Sequence, residues 1–388
     1  MTRVGIALPG VGSSWAGGVT YFANLLHALR ARTDRRVEVV LLTSPGRPAD
    51  FDARFPADAV VETDVFTPGK PLRSLGKVTE RLFGRNGAAE AVLRRRRIDI
   101  LSHTPPLGAR SPFPTLPWVP DIQEAHLPGF FSAEELARRA AGNRLTADAG
   151  RRVIVSSEHA RGDWARLYPD AAGKARVLRF VSGVAAEATA SPAELRARYD
   201  LPERFFHLPN QLWVHKNHVL VARALAILKA RGVEAAVIST GPTTDFRRPQ
   251  HFTELQAEVA RLGVADRFRF AGLVPFADVA GLLRASAAVI NPSLFEGWST
   301  TVEESKSLGK RVLLSEIPVH VEQAPERGAY FATDDAERLA ELMAETLAAY
   351  DPAEEARAGE AAAAALPGRV RAFADTYEAI VLDAVART

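Results

Sequence analysis

Short β-rich apolar runs alternating with helical patterns along the whole chain predict an α/β protein with two doubly wound parallel sheets. Three observations carry this: the alternation itself, a length of 388 residues, and a change in charge balance near the middle. Strand–helix alternation places helices on both faces of a parallel sheet and leaves ligands outside the carboxyl ends of the strands. At about 150 residues per domain, the length suits two sizeable domains. Charged residues at 24% and hydrophobic residues at 47% are ordinary for a globular chain and exclude a disordered one. Residues 1–183 hold 27 basic and 18 acidic side chains, whereas the remainder holds 22 and 28. Two domains of opposite sign suggest two kinds of partner, with an anionic one bound by the first.

In the first half, strands are expected at Val4–Leu8, Val37–Leu42, Ile98–Ser102, Leu116–Val119, Val153–Val155 and Arg176–Leu178. Tyr21–Ala31, Ala133–Ala147 and His159–Leu167 have helical spacing. In the second half, strands are expected at Phe205–His207, Ala235–Ser239, Phe268–Phe270, Ala287–Ile290 and Val312–Leu314. Helices Asn217–Arg231, Phe252–Leu262, Phe276–Ala285 and Thr300–Leu308 fill the gaps, and a last helix, Val370–Val385, follows Pro367-Gly368. Small residues at Ser182–Pro192 mark the linker. The domains are therefore 1–183, 184–369 and a terminal helical segment, 370–388.

The absence of Cys excludes disulfides, thiolate nucleophiles and Cys-ligated metals. No apolar run approaches the ~18 residues of a membrane span, and Val4–Leu8 is too short for a signal peptide. A soluble cytoplasmic protein is the expectation. A net charge of +3 makes no case for nucleic-acid binding.

Two stretches carry the chemistry. In Asn291-Pro-Ser-Leu-Phe-Glu-Gly-Trp-Ser-Thr-Thr-Val-Glu-Glu304, a strand runs through a loop into a helix starting near Ser299–Thr301. Free backbone N–H groups at a helix start suit a phosphate or other anion. Glu296 stands before that start and Glu304 eight positions later, and carboxylates on either side suit hydroxyl donors such as a sugar and a ribose. The second stretch, Asn210-Gln211-Leu-Trp-Val-His-Lys216-Asn217-His218, forms another strand–helix corner on the same strand-end face. Lys216 there is a counter-charge for phosphate.

These residues, with Phe270-Ala-Gly-Leu-Val-Pro-Phe276 and Ser315-Glu-Ile-Pro-Val-His320, give residues 200–330 a resemblance to the donor-binding domain of family 4 retaining glycosyltransferases. The spacing of Glu296 and Glu304 resembles that family's E-x7-E motif. The resemblance implies a GT-B fold, with two Rossmann-like domains facing a central cleft and a C-terminal helix crossing back to the first domain. It implies sugar transfer from a nucleoside diphosphate sugar (UDP-, GDP- or dTDP-linked) to a hydroxyl of a glycan, lipid-linked or small-molecule acceptor, as in polysaccharide biosynthesis. Retention of configuration and no cofactor or metal are implied as well. Glu296, Gly297, Trp298, Ser299 and Thr300 would hold the donor sugar and phosphate, Glu304 the ribose, and Lys216 the diphosphate. Many relatives place an Arg where this chain has Gln211, which would donate a neutral hydrogen bond instead. A GT-B phosphorylase or epimerase, or a non-catalytic nucleotide-sugar-binding protein, would share these features.

In the first domain, Gly10-Val-Gly12-Ser-Ser-Trp15-Ala-Gly17-Gly18 follows strand one. As a dinucleotide fingerprint it fails, because Trp15 replaces the third Gly. Gly17 and Gly18 match the family's first-domain loop that faces the donor. Asp121, Gln123 and His126 follow another strand, and relatives often carry a His-Asp pair at this corner where Pro120 precedes Asp121 here. Asp121 and His126 are candidate catalytic groups beside Glu296 and Lys216. Asp121, Gln123, His126 and Ser157 are candidate acceptor contacts, with Ser157 equally suited to an N-cap. Asp50-Phe-Asp52 lies in a Pro-rich loop, and the nine His residues show no two at ligand spacing with a carboxylate on one helix face. No metal site is expected. Finally, residues 70–97 contain nine basic residues against Glu80 and Glu90, with Leu72, Leu75, Val78, Leu82 and Phe83 at helical spacing. Such a basic amphipathic helix suits an anionic membrane surface; an ordinary helix with that apolar face buried fits the same spacing.

Overall fold

A computed structural model gives the structure and describes residues 1–8, 16–183 and 190–386. The chain divides into two compact units, Met1–Val181 with Gly368–Thr388, and Ser182–Pro367.

In the first unit, strands β1 (Thr2–Leu8), β2 (Val37–Thr43), β3 (Ala59–Glu62), β4 (Ile100–Ser102) and β5 (Thr115–Leu116) form a parallel sheet of order β3-β2-β1-β4-β5. A second parallel sheet contains β6 (Trp118–Val119), β7 (Val153–Val155) and β8 (Ala175–Val177) in that order. The expected single strand Leu116–Val119 is thus two strands in different sheets. Pro117 causes the split: it has no N–H for a ladder, while its carbonyl accepts from Ile154 N at 2.8 Å. The chain leaves the first sheet at Leu116 and enters the second at Trp118. Runs such as Val39–Leu42 are fully buried, as parallel strands covered on both faces should be.

The second unit holds one parallel sheet. Its strands are β9 (Phe206–Leu208), β10 (Val237–Thr240), β11 (Phe268–Gly272), β12 (Ala288–Asn291), β13 (Val312–Ser315) and β14 (Gly328–Phe331), in the order β11-β10-β9-β12-β13-β14. Strand succession reverses direction between β9 and β12, which puts a topological switch point at the carboxyl ends of these two strands. Behind it, Val221, Leu225 and Leu228 of helix His218–Ala230 pack with Phe206, Leu208, Leu339 and Met343.

The terminal helix is longer than expected. It runs unbroken from Pro352 to Val385, with Pro367 inside it, rather than starting at Val370. The preceding Ala-rich stretch has enough helix propensity to continue through the one hydrogen bond that Pro removes. Phe373, Tyr377, Ile380 and Val381 are buried. Glu378 accepts from the Arg36 backbone N–H at 2.5 Å, and Asp383 pairs with Arg152 at 2.8 Å and Arg176 at 3.0 Å. The Arg152 hydrogen bond brings the Asp383 carboxyl down to about 2. Of the expected linker Ser182–Pro192, residues 184–189 lie outside the described residues, and a helix capped by Ser191 and Glu194 starts at Pro192.

Residues 70–97 form two helices, Pro71–Phe83 and Gly87–Arg95, instead of one. Gly84, with φ of 71°, ends the first, and Asn86 caps the second. Gly76 is the contact point: a Cβ there would lie 2.4 Å from Asn86 Oδ1, so the first helix rests on this side. Its apolar residues lie mostly outside that contact, with Leu72, Leu75, Val78, Leu82 and Phe83 between 46% and 68% exposed. The alternative of a buried apolar face is not what the fold adopts.

Candidate functional site

The loops after β9 and β12 are tied together by polar side chains at the switch point. Asn210 Nδ2 donates to Asn291 Oδ1 at 3.3 Å, and Asn291 Nδ2 donates to Ser299 Oγ at 2.8 Å. Asn217 occupies the left-handed region, which Asn tolerates better than most residues, and its amide donates to Pro292 O and Thr333 O at 3.2 and 2.8 Å. Leu294 N donates to His215 O at 2.8 Å, locking the two corners in register.

This frame brings Lys216 and Glu296 together. Lys216 Nζ donates to Glu296 Oε1 at 2.6 Å, with only 14% and 10% of the two side chains exposed. Ser293 Oγ lies 2.7 Å from the same oxygen. Burial alone would raise the Glu296 carboxyl, yet Lys216, His320 and Ser293 together hold it below the ordinary value. Burial keeps His215 neutral, pushing it down to about 3, with Lys216 adding to the effect. The pair is therefore a fixed cation and a fixed anion in a poorly hydrated setting.

Beside it starts helix Thr300–Ser307. Ser299 caps it by accepting from Val302 N at 3.4 Å, and Gln323 clamps the cap by exchanging two 3.0 Å hydrogen bonds with the Ser299 backbone. Among the described residues nothing accepts from the Thr300 and Thr301 backbone N–H groups, which form the positive end of the helix. Phe295 and Trp298 are buried and anchor the loop, with part-exposed Gly297 between Glu296 and Trp298. Gln211 sits part-buried at the β9 corner, its carbonyl accepting from Trp213 N at 2.8 Å.

Glu304 is buried inside that helix, and burial raises its carboxyl to about 7, opposed by a hydrogen bond with Ser182. An acid whose folded-state value is raised binds more protons folded than unfolded between 4.5 and about 7. Its contribution to stability therefore declines as pH rises through that window, by about 3 kcal/mol in all. Glu304→Gln should flatten the decline of Tm between about pH 5 and pH 7.5, as read by thermal unfolding at several pH values. An equally steep decline in the variant would reject this reading.

In the first unit, Gly17 and Gly18 fall inside helix Ala16–Arg30 rather than in the loop before it, while Gly10–Trp15 lie outside the described residues. A Cβ at Gly17 would meet nothing within 4 Å. Asp121 Oδ1 accepts from Gln123 N at 3.1 Å and so starts the short helix Gln123–His126, whose Gln123 is buried. His126 Nε2 lies 2.6 Å from Asp163 Oδ2. Ser157 is fully buried and its hydroxyl is committed to the N-cap of helix Glu158–Leu167, accepting from Ala160 N at 3.0 Å. Asp52 pairs with Arg47 at 2.9 Å.

The sequence does not single out Asn291, Gln323 or His320 as separate site groups, nor Ser102, His103 and Tyr21. In the last three, His103 lies 2.8 Å from Ser102 Oγ and 2.7 Å from Tyr21 Oη at the end of β4. Its left-handed backbone, with φ of 57°, had no signal in composition or periodicity.

Residues 206–349 match a family profile described as "Glycosyl transferases group 1". The chain has the GT-B fold. HepE of Anabaena, solved with UDP and glucose, superposes with a TM-score of 0.69 at 16% identity, covering 98% of this chain and 99% of that one. A glycosyltransferase of Rickettsia africae gives 0.66 at 16% identity, covering 98% of each chain. Sucrose-phosphate synthase of Thermosynechococcus elongatus gives 0.65 at 17% identity, covering 98% and 97%. No curated protein matches the chain by sequence.

Proposed function

We propose that this chain, a GT-B protein whose second unit matches group 1 glycosyl transferases, moves a sugar from a nucleoside diphosphate sugar to an acceptor hydroxyl with retention of configuration. The observation carrying the proposal is the buried Lys216–Glu296 pair beside the helix start at Thr300, at the switch point of the sheet. The ammonium of Lys216 has three donors, so it can hold Glu296 and a donor phosphate together. The Thr300 and Thr301 amides add positive potential, and Gln211 a neutral donor. Glu296 and the backbone at Gly297 and Trp298 accept and orient sugar hydroxyls, while Glu304 takes the ribose. As the glycosidic bond breaks, the diphosphate gains charge where these groups already point, which lowers the barrier without reorganisation. The leaving phosphate takes the acceptor proton on the same face, so no divalent cation at the diphosphate and no protein nucleophile is needed. Asp121, Gln123 and His126 serve the acceptor.

HepE binds UDP and, in another crystal, UDP-glucose, which makes a UDP-hexose the first donor to test. A thermal-shift screen of UDP-, GDP- and dTDP-sugars should raise Tm with one nucleotide, since a ligand bound only by the folded state stabilises it. NMR of products should then show the anomeric configuration retained. Binding without transfer to any acceptor would favour a nucleotide-sugar-binding protein; dependence on free phosphate would favour a phosphorylase.

The outward apolar face of helix Pro71–Phe83 supports a cytoplasmic protein held peripherally on an anionic membrane, and so a lipid-linked acceptor. Arg73, Lys77 and Arg81 line that helix next to the apolar residues. Cosedimentation with vesicles containing anionic lipid should be strong at low salt and lost at high salt. Leu75→Glu with Leu82→Glu should abolish it; unchanged sedimentation would reject the membrane assignment. No helix is long and apolar enough to cross a membrane among the described residues.

A further inference from the structure

We infer that His126, His159 and Asp163, the first of them also given to the acceptor above, form a binding site in the first unit for a divalent transition metal of the zinc class. His159 and Asp163 stand four residues apart on helix Glu158–Leu167 and so share a face. His126 closes the short helix after β6 and meets them from the neighbouring corner. The result is two imidazoles and a carboxylate contributed by the segments that follow β6 and β7.

Their ligand atoms converge on one point. Asp163 Oδ2 lies 2.6 Å from His126 Nε2 and 3.7 Å from His159 Nε2, and all three ligand atoms fall within 4.8 Å of one another. An ion with bonds of about 2.1 Å sets adjacent ligand atoms roughly 3–3.4 Å apart. An ion therefore requires His126 to draw back from Asp163 and His159 to draw in, and the two imidazole nitrogens, within 4.8 Å of each other, to close by up to about 1.5 Å, a shift that side-chain rotation supplies. The imidazole centroids are 5.0 Å apart, so both rings already border the same space.

The carboxylate is held for this task. Asp163 is buried, and its other oxygen, Oδ1, accepts from Arg166 Nη2 at 3.0 Å. That bond fixes the carboxylate plane and leaves Oδ2 toward the two rings, the outer-shell arrangement that orients a metal-binding carboxylate. The His side chains are 31% and 25% exposed, so the remaining coordination positions would face water. Three protein ligands with open positions describe a site that binds an exchangeable group, not a closed structural one. Nitrogen and carboxylate ligands without thiolate favour Zn²⁺, Co²⁺ or Ni²⁺ over Mg²⁺ or Ca²⁺.

Isothermal titration of the full-length, chelator-stripped protein with Zn²⁺ tests this, with Co²⁺ absorption spectra reporting ligand geometry. One Zn²⁺ per chain is expected, with affinity lowered about a hundredfold or more by His159→Ala and by Asp163→Asn. Exposed His126→Ala, the change least coupled to folding, should do the same, and His27→Ala should change nothing. Circular dichroism of each variant separates lost ligation from lost structure. No saturable uptake, or uptake as strong in His126→Ala and His159→Ala as in the unaltered protein, would overturn the proposal and leave an ordinary His–Asp ion pair. Because the readout is metal uptake, the result is independent of whether the protein transfers sugar.

Discussion

Glu296→Ala and Lys216→Ala should each lower turnover about 10²–10³-fold, the loss usual when a preorganised charge is removed from an active site. The two side chains share one 2.6 Å contact with little exposure, so each single change also strands the other charge in poorly hydrated surroundings. Stability should drop by about 1–3 kcal/mol in either single variant. The double variant should be more stable than at least one single, because it leaves no uncompensated charge. Activity should be lost in all three. This divergence separates a functional pair from a merely structural one: if the double variant regained turnover along with stability, the pair would be holding the loop and nothing more. Glu296→Gln keeps the hydrogen-bonding shape but still leaves the Lys216 charge uncompensated, so it should recover only part of the stability and little activity. Steady-state kinetics with the donor identified by thermal shift, together with Tm, provide both readouts.

A large effect on stability is expected at Gly241, just past the end of β10. Its φ is 143°, a backbone conformation that side-chain-bearing residues rarely adopt, and a Cβ there would stand 2.4 Å from the Asn210 carbonyl oxygen. Both the strain and the clash involve backbone, so no side chain can turn aside. Gly241→Ala should cost about 3–5 kcal/mol and lower Tm by on the order of 10 °C. Since Asn210 braces Asn291 across the switch point, nucleotide affinity should fall as well. Gly232→Ala is the matched control: φ is also positive, at 70°, but nothing lies within 4 Å of the added carbon. It should cost only about 1 kcal/mol. Equal losses at the two positions would show that backbone strain alone governs, and that the close approach to Asn210 is relieved by small shifts.

Much of the second unit is legible in the sequence because its strands are short, apolar and bounded by turn residues. β9, β10, β12 and β13 differ from expectation by one or two residues at their ends. Helix Phe276–Ala285 is placed as expected, since Pro275 before it and Ser286 after it punctuate the pattern. β3 and β14 are missed because four residues at a sheet edge carry little periodicity. Pro367-Gly368 reads as a break, yet flanking Ala and buried aromatic contacts outweigh both residues. At the site, Glu296 and Lys216 stand out through their surroundings, but their mutual pairing joins residues 80 positions apart and no local pattern contains it. Gln323 is similarly hidden, since its role depends on a helix reached only through β13. The His126–His159–Asp163 cluster escapes for the same reason: only two of its members share a helix.

The long helix Pro352–Val385 has a consequence for how the protein is made. Phe373, Tyr377 and Ile380 complete a core whose other members emerge from the ribosome hundreds of residues earlier. The second unit can therefore close during synthesis while the first still lacks its final segment. Until that segment arrives, the nascent N-terminal half exposes the apolar surface it will cover, so its final packing comes after that of the second unit.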